Sequence, residues 1–143
     1  MRFFITILIT VFLDQWSKHW ILRHFYLGET VSVIGDWFSI TYIQNRGAAF
    51  GIFAEQQWLF ISMAIIMLLA AIIFTMHYRH NHWLVLTTGL ITGGAIGNLY
   101  DRCSYRAVID FLSFGSFPVF NVADMAITIG GVLLVYRIWR YGT

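Results

Sequence analysis

Charge, proline and cysteine are all scarce in this chain. Only 11% of its 143 residues are charged, and Pro118 and Cys103 are the single proline and the single cysteine. One cysteine excludes an internal disulfide, and without a CxxC pair there is no sign of a zinc or redox centre. Cys103 reads as a buried or incidental thiol. A lone proline argues against disordered linkers. The net charge of +2 is too small and too scattered to hold nucleic acid, which removes that class of partner. Apolar residues fill the chain instead: 59% are hydrophobic, 18% aromatic, and the mean hydropathy is +0.71. An ordinary soluble domain is roughly 45–50% apolar and about 25% charged. This composition assigns most of the chain to lipid. Its length fits one domain, residues 1–143.

A bilayer core of ~30 Å takes about 20 apolar residues in a helix. Residues 57–76 supply such a run without a charge, and 82–100 supply a second. The second carries Gly89, Gly93 and Gly97 at four-residue spacing, a flat ridge that lets another helix backbone approach. Residues 118–139 form a further span with Asp124 near one end, and Pro118 is acceptable in a first helical turn. At the N-terminus, Arg2 followed by Phe3–Leu13 has the outline of a signal peptide. No small-x-small cleavage site follows, and apolar residues resume at Trp16, Trp20, Ile21 and Leu22, so a retained helix over 3–22 is favoured. That helix encloses Asp14 and Lys18 at i and i+4, acid first. Ionisable groups inside a span face protein or water, because lipid exposure costs ~2.5–3.5 kcal/mol. The expected fold is therefore an all-α membrane protein of four transmembrane helices.

Between the first two spans, Thr30–Ile34 and Trp37–Ile43 flank a Gly35-Asp36 turn, with Phe38, Ile40 and Tyr42 alternating with Ser39 and Thr41. This reads as a small β-hairpin within the region 29–55. Its unpaired edges belong at the membrane surface. Four spans put both termini on one side, and the hairpin and the 101–117 loop on the other. The arginines do not orient the molecule: Arg2, Arg79, Arg137 and Arg140 lie on the terminal side, and Arg23, Arg46, Arg102 and Arg106 on the other.

Of the seven acidic residues, Glu29, Asp36 and Glu55 read as solvated loop charges. If the third helix continues past Tyr100, Asn98, Asp101 and Arg102 fall at i, i+3 and i+4. Asp101 with Arg102 reads first as an ion pair pinning the helix end. Asn121 and Asp124, at i and i+3, share a face, and Asp124 has no basic neighbour in sequence. Asp110 and Asp124 suggest a water-activating pair. Two close carboxylates do not both ionise easily, so one is left to take a proton from water and the other to polarise a carbonyl. Their spacing permits such an approach without requiring it. His77, His80 and His82 resemble a metal tract but fall in the short connection on the terminal side, as a solvated turn would. No HExxH or GxSxG is present, and serine–lysine chemistry would need Lys18, whose neighbour is Asp14.

Five segments in order resemble the lipoprotein signal peptidase (signal peptidase II) family: Asp14-Gln15-Trp16-Ser17-Lys18, NRGAAFGIF (45–53), GNLYDR (97–102), VIDF (108–111) and FNVADMAI (120–127). The resemblance implies an aspartic endopeptidase that cleaves diacylglyceryl-modified prolipoproteins before the lipidated cysteine. Asp110 and Asp124 take the catalytic positions, and Asp14, Lys18, Asn45, Asn98, Asp101, Arg102 and Asn121 the substrate-binding and supporting ones. It also implies an extracytoplasmic β-cradle, residence in the bacterial inner membrane with both termini cytoplasmic, and a site near the outer face. Partners are prolipoproteins and membrane lipids; no cofactor or metal is expected, and a monomer is. Phe50 and Phe53 would belong to a loop covering the lipidated cysteine. The chain departs from the family in the short 115–120 connection and in ending three residues past Arg140 without a basic tail.

Two rival readings remain at this point. A proton or cation carrier would also carry intramembrane Asp14 and Asp124, and an assembly subunit would use them to glue helices. A transport path should spread polar groups through the bilayer's depth, whereas here they gather at one face.

Overall fold

A computed structural model describes residues 1–47 and 56–142. Its described elements are helices α1 (Arg2–His24), α2 (Gln57–His77), α3 (His82–Tyr105) and α4 (Val122–Tyr141), and strands β1 (Thr30–Ile34), β2 (Phe38–Asn45) and β3 (Val108–Phe114). At ~1.5 Å per residue the helices run about 30–36 Å. Their outward faces are apolar: Phe4, Leu8 and Phe12 on α1, Ile66 and Ile73 on α2, and Val132 and Val135 on α4 are all exposed. Apolar surface on this scale needs a cover other than water. By length and composition, α2 and α4 are each able to cross a membrane.

The helix α3 packs against each of the other three. The glycine ridge explains how α1 comes so close: a Cβ on Gly93 would lie 2.7 Å from the Thr10 Cβ, and one on Gly97 would overlap the Asp14 carboxylate. The helix α2 stands apart, burying only Ala71 and Thr75, with a 2.9 Å hydrogen bond between the Thr75 and Thr88 hydroxyls.

The sheet is antiparallel in the order β1-β2-β3. The hairpin expected from the alternating pattern forms, and Ile40 and Tyr42 face a small core with Ile21, Ile109 and Phe111. Two expectations need correction. The 101–117 segment is not simply a loop, since 108–114 is the third strand. Its first four residues are all buried, so no alternation betrays it. Nor does the last helix begin at Pro118. Phe120 bridges to Leu112, its N–H donating to the Leu112 carbonyl at 3.0 Å and its carbonyl accepting from the Leu112 N–H at 2.8 Å. The helix starts after that bridge, at Val122, with Asn121 as its cap.

Candidate active site

The strand pairing brings Asn45 beside Asp110, and the Phe120–Leu112 bridge delivers Asn121 to the same place. Asn121 and Asp124 form a capping box: the Asp124 N–H donates to Asn121 Oδ1 at 2.9 Å, and the Asn121 N–H donates to Asp124 Oδ2 at 3.2 Å. The sequence spacing of three is therefore a reciprocal lock that aims the Asp124 carboxylate. Asp110 and Asp124 line one cavity of about 830 Å³, with Asn45, Asn98 and Arg102 on its walls.

Every carboxylate oxygen of the pair accepts from a fixed donor. Asn45 Nδ2 donates to Asp110 Oδ2 at 2.9 Å and Asn121 Nδ2 to Asp110 Oδ1 at 2.7 Å. Asn98 Nδ2 donates to Asp124 Oδ1 at 2.8 Å. Each of these amides is in turn held at its oxygen end by a donor. The Gly47 N–H serves Asn45, the Asp124 N–H serves Asn121, and the Lys18 ammonium, at 3.0 Å, serves Asn98. The amides cannot flip without losing both bonds, so their N–H groups stay aimed at the carboxylates. Burial, and then the facing charge of Asp124, push the Asp110 carboxyl from its ordinary 3.8 up to about 7, against the lowering effect of the Asn45 and Asn121 donors.

Beneath this pair lies a buried ion cluster. The Lys18 ammonium sits 2.8 Å from both Asp14 and Asp101. The same two carboxylates pin other elements: Asp14 accepts from the Ala123 N–H at 2.9 Å through the oxygen that does not face Lys18, and Asp101 accepts from the Ile109 N–H at 3.1 Å through the oxygen that also faces Lys18. Asp14 therefore holds the start of α4, and Asp101 the start of β3. The expected Asp101–Arg102 ion pair is not the observed one; neighbours on a helix point in different directions. Arg102 instead faces the cavity, its guanidinium 5.0 Å from the centre of the Phe60 ring. Gln15 was overlooked as a site residue. Its Nε2 donates to Asp14 Oδ2, the Gly97 carbonyl and Asp101 Oδ1 at 3.0–3.2 Å, and its place between Asp14 and Lys18 in the first motif was the available signal. His77, His80 and His82 are exposed at the opposite ends of α2 and α3. Cys103 is exposed rather than buried. Phe50 and Phe53 lie outside the described residues.

The model of the family described as signal peptidase (SPase) II matches residues 6–140. The chain belongs to the signal peptidase II family. A lipoprotein signal peptidase from Syntrophomonas wolfei subsp. wolfei is 46% identical over 135 residues, 94% of this chain and 91% of its relative. One from Halothermothrix orenii is 40% identical over 137 residues, 96% of this chain and 94% of its relative. Two solved structures described as bacterial membrane enzymes superpose with TM-scores of 0.91 and 0.89 at 30% identity. The first alignment covers 96% of this chain and 87% of that one, the second 97% and 93%. Membership of the signal peptidase II family, this likeness and the apolar helix faces make the chain a membrane protein.

Proposed function

We propose that the chain is an aspartic endopeptidase that removes the signal peptide from diacylglyceryl-modified prolipoproteins, cutting before the lipidated cysteine. Family membership supports the substrate class. The observation that carries the chemistry is the pairing itself: two carboxylates on one cavity, each held by oriented amides, with Asp110 raised to about 7.

Asp110 carries the proton at rest and Asp124 is the base. Asp124 takes a proton from water, the water oxygen bonds to the scissile carbonyl carbon, and Asp110 passes its proton to the carbonyl oxygen. As the intermediate collapses, Asp124 returns its proton to the cysteine nitrogen, the C–N bond breaks, and Asp110 recovers its proton from the hydroxyl. Asn45 and Asn121 each already spend an N–H on Asp110, so Arg102 is the cationic donor left to face the substrate carbonyl. Asp14, Gln15, Lys18 and Asp101 act at one remove, holding the strand and the helix that carry the pair.

All four helices span the bilayer in this reading, as one domain over 1–143. Their lengths support it, and the charges of α1 lie inward: Asp14 and Lys18 are buried in each other's company. The termini are cytoplasmic, the site lies near the outer face of the inner membrane, and the enzyme works as a monomer. Lipidated prolipoprotein incubated with the purified protein in detergent should lose its signal peptide, seen as a gel shift. Asp110→Asn and Asp124→Asn should each abolish the shift while leaving the protein folded, and the double variant should be no worse than either alone, since the groups act as a unit. Substantial cleavage by either single variant would remove the pair from the mechanism.

A further inference from the structure

A second cavity, of about 850 Å³, adjoins the carboxylate cavity, with Arg102 on the wall between them. Its lining gathers three arginines: Arg46, just past the end of β2, Arg102 in the last turn of α3, and Arg106, which ends that helix. Among the described residues, none that lines it is acidic. Among the described residues the ion pairs are those of Lys18 with Asp14 and Asp101, so Arg46 and Arg106 have no carboxylate partner there. Three like charges around one space repel, and an anion seated between them would turn that repulsion into attraction. The two helix ends that line it are tied together. Arg106 sits in the left-handed region with φ 56°, and its carbonyl accepts from Gln57 Nε2, which ties the end of α3 to the start of α2.

The arginine distribution points the same way. Half of the chain's eight arginines lie on the side away from the termini. Multi-pass proteins enrich Lys and Arg on the cytoplasmic side and leave outer loops poor in them. Three of the four outer arginines converge on this cavity.

We propose that the cavity binds the phosphodiester headgroup of an anionic membrane lipid from the outer leaflet. The depth of the site rests on the four-span reading above; the arginine cluster does not. Guanidinium forks match phosphate oxygens, and basic pockets between helices suit acidic headgroups. Trp58 and Tyr105, which also line the cavity, are the aromatic types that settle at headgroup level. Beyond Trp58, α2 turns Met63, Ile66 and Ile73 outward, a surface along which acyl chains can lie. The occupant is thus polar and anionic at one end and apolar along its length. Free phosphate meets only the first condition.

Native mass spectrometry of the full chain in detergent, titrated with dioleoyl-phosphatidylglycerol and separately with dioleoyl-phosphatidylcholine, tests this. The wild type should retain the anionic lipid in clear preference. Each of Arg46→Gln and Arg106→Gln should weaken that retention roughly fivefold, and the double variant about 25-fold. Equal retention of the two lipids by the wild type, or undiminished retention by the double variant, overturns the proposal. Displacement of phosphatidylglycerol by millimolar inorganic phosphate also overturns it, because the site then reads phosphate alone. Prolipoprotein cleavage by the same preparations separates the two readings. Cleavage with the lipid preference intact in the wild type and lost in the double variant supports both. Absence of cleavage in a wild type that still shows the preference sinks the peptidase reading and leaves this site standing. A double variant that keeps the lipid but has a raised KM for prolipoprotein would give these arginines to the substrate and overturn the lipid assignment.

Discussion

Asp110 is pushed toward its neutral form where a carboxyl is ordinarily charged, and that has a consequence for stability as well as for chemistry. It is 2% exposed, and its pKa stands at about 7 against 3.8 in the unfolded chain. A carboxyl whose pKa is raised by folding binds more protons folded than unfolded, so between about pH 4 and 7 stability falls as pH rises. At ~1.36 kcal/mol per unit the loss reaches up to about 4 kcal/mol. Thermal unfolding of the solubilised protein should therefore show a lower Tm at pH 8 than at pH 5. Asp110→Asn, which removes the titration, should flatten that slope and exceed the wild type above pH 7. A wild-type Tm that rises over the same window would contradict a neutral Asp110. Lys18 has the opposite character: it is a buried cation without which Asp14 and Asp101 face each other unpaired. Lys18→Met should cost about 3–5 kcal/mol. Adding Asp14→Asn to that variant should return part of the loss, because one buried charge fewer is left uncompensated.

At the scale of elements, the close approach of α1 to α3 is made by the absence of side chains. Gly93→Val would force a branched Cβ to within 2.7 Å of the Thr10 Cβ, and should cost roughly 1–3 kcal/mol in chemical denaturation. On α4, Gly131 meets nothing within 4 Å, so Gly131→Ala should be neutral or stabilising by up to about 1 kcal/mol. Equal losses at the two positions would mean that helix propensity, not packing, sets the response. The ridge itself was legible, because four-residue spacing of glycine has one geometric meaning. The four helices were legible from hydropathy and the hairpin from alternation. The third strand was not, because Val108–Phe111 is buried on both faces and shows no period. The start of α4 was displaced because the backbone bridge of Phe120 to Leu112 overrode the local preference of Pro118. Among site residues, the i, i+4 pair Asp14–Lys18 was readable from one helix. The partner of Asp101 was not, since Lys18 lies on a different helix and only the fold makes them neighbours.

At the scale of the whole molecule, polarity is gathered at one end. The sheet, the carboxylate pair and the arginine cavity lie at the end where α1 finishes and α2 begins, while the histidine turn lies where α2 finishes and α3 begins. A peptidase acting on a signal helix needs this asymmetry. In the function proposed above, the carboxylates meet water at the membrane face, while the apolar helix flanks let the substrate approach from within the bilayer. The arginine count cannot orient such a molecule, because a functional cluster of basic residues offsets the usual cytoplasmic excess. Topology is therefore the property to measure directly. Reporter fusions placed after His80 and after Ser116 bracket α3 and should give opposite signals, cytoplasmic at His80 and outward at Ser116. The reporter at Ser116 interrupts the turn before Phe120, so a second outward fusion after Asp36, in the exposed hairpin turn, should agree with it. Matching signals at His80 and Ser116 would mean that α3 does not cross. The buried Asp14–Lys18–Asp101 cluster, to which α3 contributes Asp101, would then have no bilayer to hide from, and the four-span reading would fail together with the depth assigned to both cavities.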